Sequence, residues 1–209
     1  MDATSFFDLF IQNVLNTTWL EIVAVLFGLA SVWYAKKENI LVYPTGIVNV
    51  LIFVYICFNA GLYADMGINF FYFLMSVYGW YMWTRKIDTG KHLAISKCSF
   101  YGHVFNIISS VVLFLILYFV LNNYTDSDVP AWDSFTTAVF IVAMYLMARK
   151  KIEHWIAWII GNVVSIPLYF YKDLVFTSFQ YTVFLILAIL GYIEWKNKLK
   201  AGEWKSSDL

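Results

Sequence analysis

Seven apolar stretches run through this 209-residue chain, each close to the ~20 residues that an α-helix needs to cross a hydrocarbon core of ~30 Å. They lie at 19–35, 40–60, 66–84, 99–121, 132–148, 152–171 and 175–195. Lipid offers no water to unpaired backbone groups, so stretches of this length and apolarity must be helices. The charged fraction of 13% is about half the ~25% usual in soluble domains. Nearly all connectors are too short to hold a soluble domain. The expected fold is therefore an all-α integral membrane protein with seven transmembrane helices, and any function resides inside the bundle.

Matching residues divide the stretches into two sets. Trp19, Phe27, Ala30, Ala35, Lys37, Ile47, Asn49 and Val50 recur as Trp132, Phe140, Ala143, Ala148, Lys150, Ile160, Asn162 and Val163, at a constant separation of 113 (162 − 49). The third stretches correspond through Gly79 and Gly191 and through Trp83 and Trp195, at 112 (191 − 79), which reads as one residue lost in a loop. Repeats of this size in an apolar chain point to a transporter with its substrate between the halves.

The connector charges alternate by side. Lys36 and Lys37, Arg85, Lys86, Lys91 and Lys97, Arg149 to Lys151, and Lys196, Lys198 and Lys200 belong in the cytoplasm under the positive-inside rule. Asp2, Asp8, Asp65, Asp126, Asp128 and the Lys172-Asp173 pair then face outward. An odd number of spans places the N-terminus outside and the C-terminus in the cytoplasm. Both copies begin on the same side, so the repeats are parallel, and the unpaired fourth stretch carries the chain back in a 3+1+3 arrangement. The corresponding units are an extracytoplasmic or interfacial segment at 1–18, repeats at 19–84 and 132–195, a linker at 85–131 and a tail at 196–209. The acidic N-terminus lacks the basic region and cleavage site of a signal peptide, so the first span is expected to target the chain. Trp80, Tyr81, Trp83, Trp195 and Trp204 stand beside cytoplasmic basic residues, as interfacial anchors do.

Trp155, Trp158 and Asn162 follow at i, i+3 and i+7, which puts two indoles and an amide on one helical face. At ~1.5 Å per residue Asn162 lies roughly 15 Å into its span, near the midplane, and Asn49 reaches the same depth from the other half. Asn69, Tyr72, Ser76, Trp80 and Trp83 form a second polar and aromatic stripe, and Gln180 and Tyr181 sit at the depth of Asn69. Such polar groups in lipid must face the bundle or a wet cavity. Packing glue is the competing role for Asn49 and Asn162, an interfacial anchor that for Trp155, and simple solvation that for Asp65. No Asp, Glu, Lys or Arg falls at the midplane, where proton relays and ion-coupled pumps carry one. The lining suits a flat, hydrogen-bonding, cationic organic molecule.

Other chemistries find little support. Ser165 has no base at its depth and no nucleophile-elbow glycines. His92, His103 and His154 lack metal-ligand spacing. No nucleotide fingerprint is present, a net charge of zero argues against nucleic acid, and Cys57 and Cys98 lie at different depths. The reading is of a non-enzyme that needs no cofactor.

The Trp155-x-x-Trp158-x-x-x-Asn162 run, the Tyr78-Gly79-Trp80-Tyr81-x-Trp83 end of the third span and Leu62-Tyr63-Ala64 before it resemble the PnuC family of vitamin transporters, over almost the whole chain. The resemblance implies a fold similar to full-length SWEET transporters and facilitated transport of nicotinamide riboside across the bacterial inner membrane. It also implies trapping of the vitamin by a cytoplasmic kinase, supply of NAD biosynthesis, and a substrate site that includes Trp158 and Asn162, with Trp155 beside them. Membrane lipid and the small cationic vitamin are the implied partners, with room for a homo-oligomer. Asn69 stands where nicotinamide riboside carriers can have Gln, which leaves thiamine, carried by a branch of the family, as the alternative substrate.

Overall fold

The computed structural model describes residues 11–86, 92–125 and 127–207, and the side chains at 63, 64 and 203–207 are outside that description. Asp2, Asp8, Lys91, Asp126 and the Trp204 side chain therefore lie outside the described residues. After a helical stretch at 11–16 come α1 (Trp19–Lys36), α2 (Val42–Asn59), α3 (Tyr63–Thr84), α4 (Phe100–Tyr124), α5 (Pro130–Ala148), α6 (Glu153–Tyr171) and α7 (Val175–Ser207). Apart from two isolated bridges, the described residues are all-helical or loop. Five of these helices, α1, α2, α4, α5 and α7, are long and apolar enough to cross a membrane. The other two, α3 and α6, carry most of the polar candidates named above.

Local chemistry sets the helix ends. Thr18 and Glu21 form a capping box at α1, with the Glu21 N–H donating to Thr18 Oγ1 and the Thr18 N–H to Glu21 Oε2. Ser99 caps α4 by accepting from the Gly102 N–H, and Pro130 opens α5, where a missing N–H is harmless. Four helices end in the same left-handed turn. Glu38, Gly61, Lys150 and Asp173 have φ of 59°, 72°, 48° and 58°. Around each, the N–H of the left-handed residue bonds three residues back and the next N–H five residues back, as in Asn39 to Tyr34 and Lys151 to Leu146, both at 2.9 Å.

These turns reveal the true repeat. Glu38 pairs with Lys150, Gly61 with Asp173, and every hydrogen bond of the first set recurs in the second at the 112-residue offset that also separates the Lys150–Glu38 ion pair. The separation of 113 expected for the first two spans is thus corrected to 112 throughout, and no residue is lost. One position along a helix is a rotation of ~100°, so Asn49 and Asn162 are not equivalents: Asn49 corresponds to Gly161, and Gly28 to Phe140. Small apolar residues match readily one place out of register, whereas turn geometry does not.

Within each set, α1 packs on α2 and α2 on α3, as α5 packs on α6 and α6 on α7. The sets meet through α1 against α7 and α3 against α5, an exchange of equivalent helices, while α4 packs on α5 alone among the described helices. The segment before α4 is pinned to the α5–α6 turn by hydrogen bonds from Ser96 N–H to the Lys150 carbonyl and from Ile152 N–H to the Ser96 carbonyl, both at 3.0 Å. The Cys98 N–H adds a bond to Glu153 Oε1 at 2.9 Å. Burial and the Glu153 carboxylate push the Cys98 thiol up to about 11, so it stays a protonated thiol at neutral pH.

The main core gathers at the end that bears the basic turns, around Tyr43, Trp83, Trp155 and Trp195. Interfacial anchoring fits Trp80 and Tyr81, which are exposed, but Trp83 and Trp195 are 5% and 0% exposed and belong to this core. Their nearness to lysines misleads because each indole reaches inward to a backbone carbonyl of the other repeat. Two glycines make room for the rings: a Cβ at Gly79 would overlap the Tyr43 ring, and one at Gly191 the Trp155 ring. Gly191→Ala is expected to destabilise the detergent-purified protein by ~1–3 kcal/mol through overpacking, read as a lower melting temperature. Gly67→Ala, where a Cβ meets nothing, is expected to leave melting unchanged or raise it slightly.

Candidate functional site

Trp158 sits one turn below Asn162 on α6, and its indole stacks on Phe140 of α5 with ring centroids 5.1 Å apart. Phe140 lies against Gly161, the one residue whose missing Cβ allows the ring so close. The stack continues through α7. Phe140 lies parallel to Tyr181 at 6.1 Å, Tyr181 parallel to Tyr169 at 4.9 Å, and Phe184 meets Tyr181 edge-on at 6.0 Å. A column of flat rings drawn from three helices of the second repeat is the result. Offset stacks of this kind leave π-faces aligned for a further planar ring.

The first repeat reaches the column from the other side. A Cβ built on Gly28 would come 3.0 Å from Asn49 Nδ2 and 3.8 Å from the Phe184 ring. Asn49 and Phe184 therefore converge on one point of α1, at the seam between α1 and α7. The Asn49 amide donates to the Ala24 carbonyl at 2.7 Å, which ties α2 to α1.

Asn162 is 2% exposed and Ser165, one turn further on, is fully buried. Neither side chain has a hydrogen-bond partner among the described residues. Ser165 Oγ is the fully buried one, and a buried polar atom without a partner costs ~1–3 kcal/mol.

The other expected site residues distribute around this centre. Tyr72 and Tyr181 are half-buried, and the Tyr72 hydroxyl is within electrostatic reach of those of Tyr169 and Tyr181. Ser76 is buried on α3 facing Gly46. Gln180 is half-buried beside Tyr181. Asn69 turns its amide back to its own helix, donating to the Asp65 carbonyl at 2.9 Å. Trp155 stands apart from the column, enclosed by His154, Gly191 and Trp195 with its ring N–H unpaired. Sequence reasoning missed Phe140, Tyr169, Phe184 and Gly28 as neighbours of the site. At 21% aromatic content a single Phe or Tyr carries little signal.

A family model described as nicotinamide mononucleotide transporter matches residues 18–197. The chain belongs to this family, the PnuC transporters. It is 29% identical to the nicotinamide riboside transporter PnuC of Escherichia coli K12, with 88% of each chain covered. It is 25% identical to the riboflavin/roseoflavin transporter RibM of Streptomyces davaonensis, covering 90% of this chain and 88% of that one. Its fold is similar to a crystal structure of the vitamin B3 transporter PnuC, with a TM-score of 0.72 and 25% identity over 95% of this chain and 92% of the other. The protein is thus a multi-pass membrane protein of a transporter family rather than an enzyme.

The two asparagines should differ in the ligand-free protein. Asn49→Leu is expected to lose ~1 kcal/mol with its bond to Ala24, whereas Asn162→Leu, which removes an unpaired amide, should melt at or above the parent temperature. A clear loss of melting temperature in Asn162→Leu would show that this amide is structural glue.

Proposed function

We propose that this protein is a facilitator that carries nicotinamide riboside across the bacterial inner membrane through seven spans in the 3+1+3, SWEET-like arrangement. Its N-terminus is outside and its C-terminus in the cytoplasm. In this reading the repeats comprise residues 19–84 and 132–195, joined by the linker at 85–131 and flanked by the segments 1–18 and 196–209. A cytoplasmic kinase phosphorylates the vitamin, prevents its return and feeds it to NAD synthesis.

The observation that carries the reading is the convergence of a ring column and unpaired polar groups between the repeats: Trp158, Phe140, Tyr181 and Tyr169 beside Asn162, with Asn49 reaching in from the other half. A planar pyridinium gains both stacking and cation–π attraction from such faces, and its carboxamide and ribose hydroxyls match the amides. Gln180, Tyr72, Ser76 and Asn69 supply further polar contacts along the path. Trp155, apart from the column, supports the site from the core that it shares with Trp195. Thiamine, left open by Asn69, is not favoured, since the relatives carry nicotinamide riboside and riboflavin or roseoflavin.

Uncoupled movement follows from the placement of charge. Along α1 to α6 each Asp, Glu, Lys or Arg lies within the first or last turn, and along α7 they begin at Glu194. No midplane carboxylate is available to bind a coupling proton or sodium ion. Proteoliposomes should therefore equilibrate labelled nicotinamide riboside without accumulating it. Accumulation driven by an imposed ion gradient and lost on its collapse would refute the facilitator reading.

Trp158→Ala should weaken binding of nicotinamide riboside by roughly five- to thirtyfold, from a loss of ~1–2 kcal/mol, with riboflavin as the comparison ligand. Unchanged affinity in a folded, monodisperse variant would remove Trp158 from the site.

A further inference from the structure

The end of the bundle that bears the basic turns is closed by two hydrogen bonds that exchange partners between the repeats. The Trp83 indole, at the end of α3, donates from Nε1 to the Met147 carbonyl in the last turn of α5 at 3.1 Å. The Trp195 indole, at the equivalent place on α7, donates to the Ala35 carbonyl in the last turn of α1 at 3.0 Å. Donors and acceptors alike are related by the 112-residue offset. Each carbonyl also accepts the N–H of the left-handed residue in its own turn, Lys150 on Met147 and Glu38 on Ala35. The indoles thus occupy second lone pairs at helix C-termini, where carbonyls lack intrahelical donors.

Ion pairs follow the same crossing. Lys150 Nζ lies 2.8 Å from Glu38 and 4.5 Å above the Trp83 ring, Lys198 lies 3.3 Å from Glu38, and Lys37 lies 3.6 Å from Glu194. Beneath them the rings of Trp83 and Trp195, 6.1 Å apart, seal the seam together with Tyr43, His154 and Trp155. At the opposite end, the described ties stay within one repeat, as Lys172 with Asp133 and Ser178 with the Ile166 carbonyl.

We infer that the paired indole–carbonyl bonds of Trp83 and Trp195 are the latch of a gate on the basic side, shut in this conformation and released when the two repeats part. The inference rests on the carrier reading above. The pseudo-twofold makes the latch cooperative, because one relative motion of the halves lengthens both bonds at once. Each bond is also weak enough to break thermally, since a net hydrogen bond of ~1 kcal/mol changes an open-to-closed ratio about fivefold. Among the described residues, the hydrogen bonds and ion pairs between side chains of one repeat and groups of the other lie at this end.

The test is the access of a thiol probe from the basic side. Ala188, 2% exposed on α7 behind the rings, is replaced by cysteine in a Cys57→Ser, Cys98→Ser background. Inverted membrane vesicles are then treated with a membrane-impermeant maleimide. Trp83→Phe and Trp195→Phe keep a ring and remove the donor, and each should speed labelling about fivefold, the double variant about twentyfold. Trp132→Phe, at the start of α5 and 49% exposed, should change nothing. Glu38→Gln, which weakens the ion pairs and spares both indoles, should also speed labelling and serves as the second variant if a Trp substitution fails to fold. Unchanged labelling in the folded Phe variants, or a response to only one of the two, overturns the latch. Nicotinamide riboside binding is measured on the same samples. Faster labelling in a protein that does not bind the vitamin supports the latch and removes the substrate, while binding with unaltered labelling does the reverse.

Discussion

A carbonyl at a helix C-terminus has no intrahelical donor, and where protein covers it from water it must find another, a constraint that shapes the basic end of the bundle. Four helices solve it with left-handed turns whose N–H groups fold back on the last carbonyls. Two of those carbonyls, at Ala35 and Met147, take a second donor from an indole of the other repeat. The requirement to satisfy buried helix ends thus also holds the halves together. Because turns and indole partners repeat at one offset, satisfaction of the backbone and pseudo-symmetry are a single device here.

The same symmetry is broken where chemistry is needed. Gly28 and Phe140 occupy equivalent positions, as do Asn49 and Gly161. One half therefore presents an amide over a glycine and the other a ring over a glycine, so the seam has a polar wall and an aromatic wall. In the proposed reading a flat molecule with a polar rim lies between these unlike walls. Trp158, stacked on Phe140, extends the aromatic wall, and the unpaired Asn162 places polar capacity beside it.

Much of this was legible in the chain. The lengths of the apolar stretches lead directly to the long helices that the structure contains, five of them long and apolar enough to cross a membrane, and the Gly79/Gly191 and Trp83/Trp195 pairs already stood in the correct register. The 113 offset in the first two spans failed because residues such as Ala, Ile and Val recur by chance in a membrane helix. Glu38 and Lys150, opposite in charge, hid the turn equivalence that fixes 112. Trp83 and Trp195 looked like interfacial anchors because sequence reports the neighbouring lysines but not the direction of a ring. Phe140, Tyr169 and Phe184 join the site only through helix pairing, which no spacing within one helix announces.

The position of bound nicotinamide riboside is the most direct test of the proposed carrier. A structure of the protein determined with nicotinamide riboside should place the pyridinium ring against the column formed by Trp158, Phe140 and Tyr181, with a polar atom of the vitamin within hydrogen-bonding distance of the Asn162 amide. A vitamin found away from the seam between the repeats, with the column unchanged and Asn162 still unpaired, would contradict it.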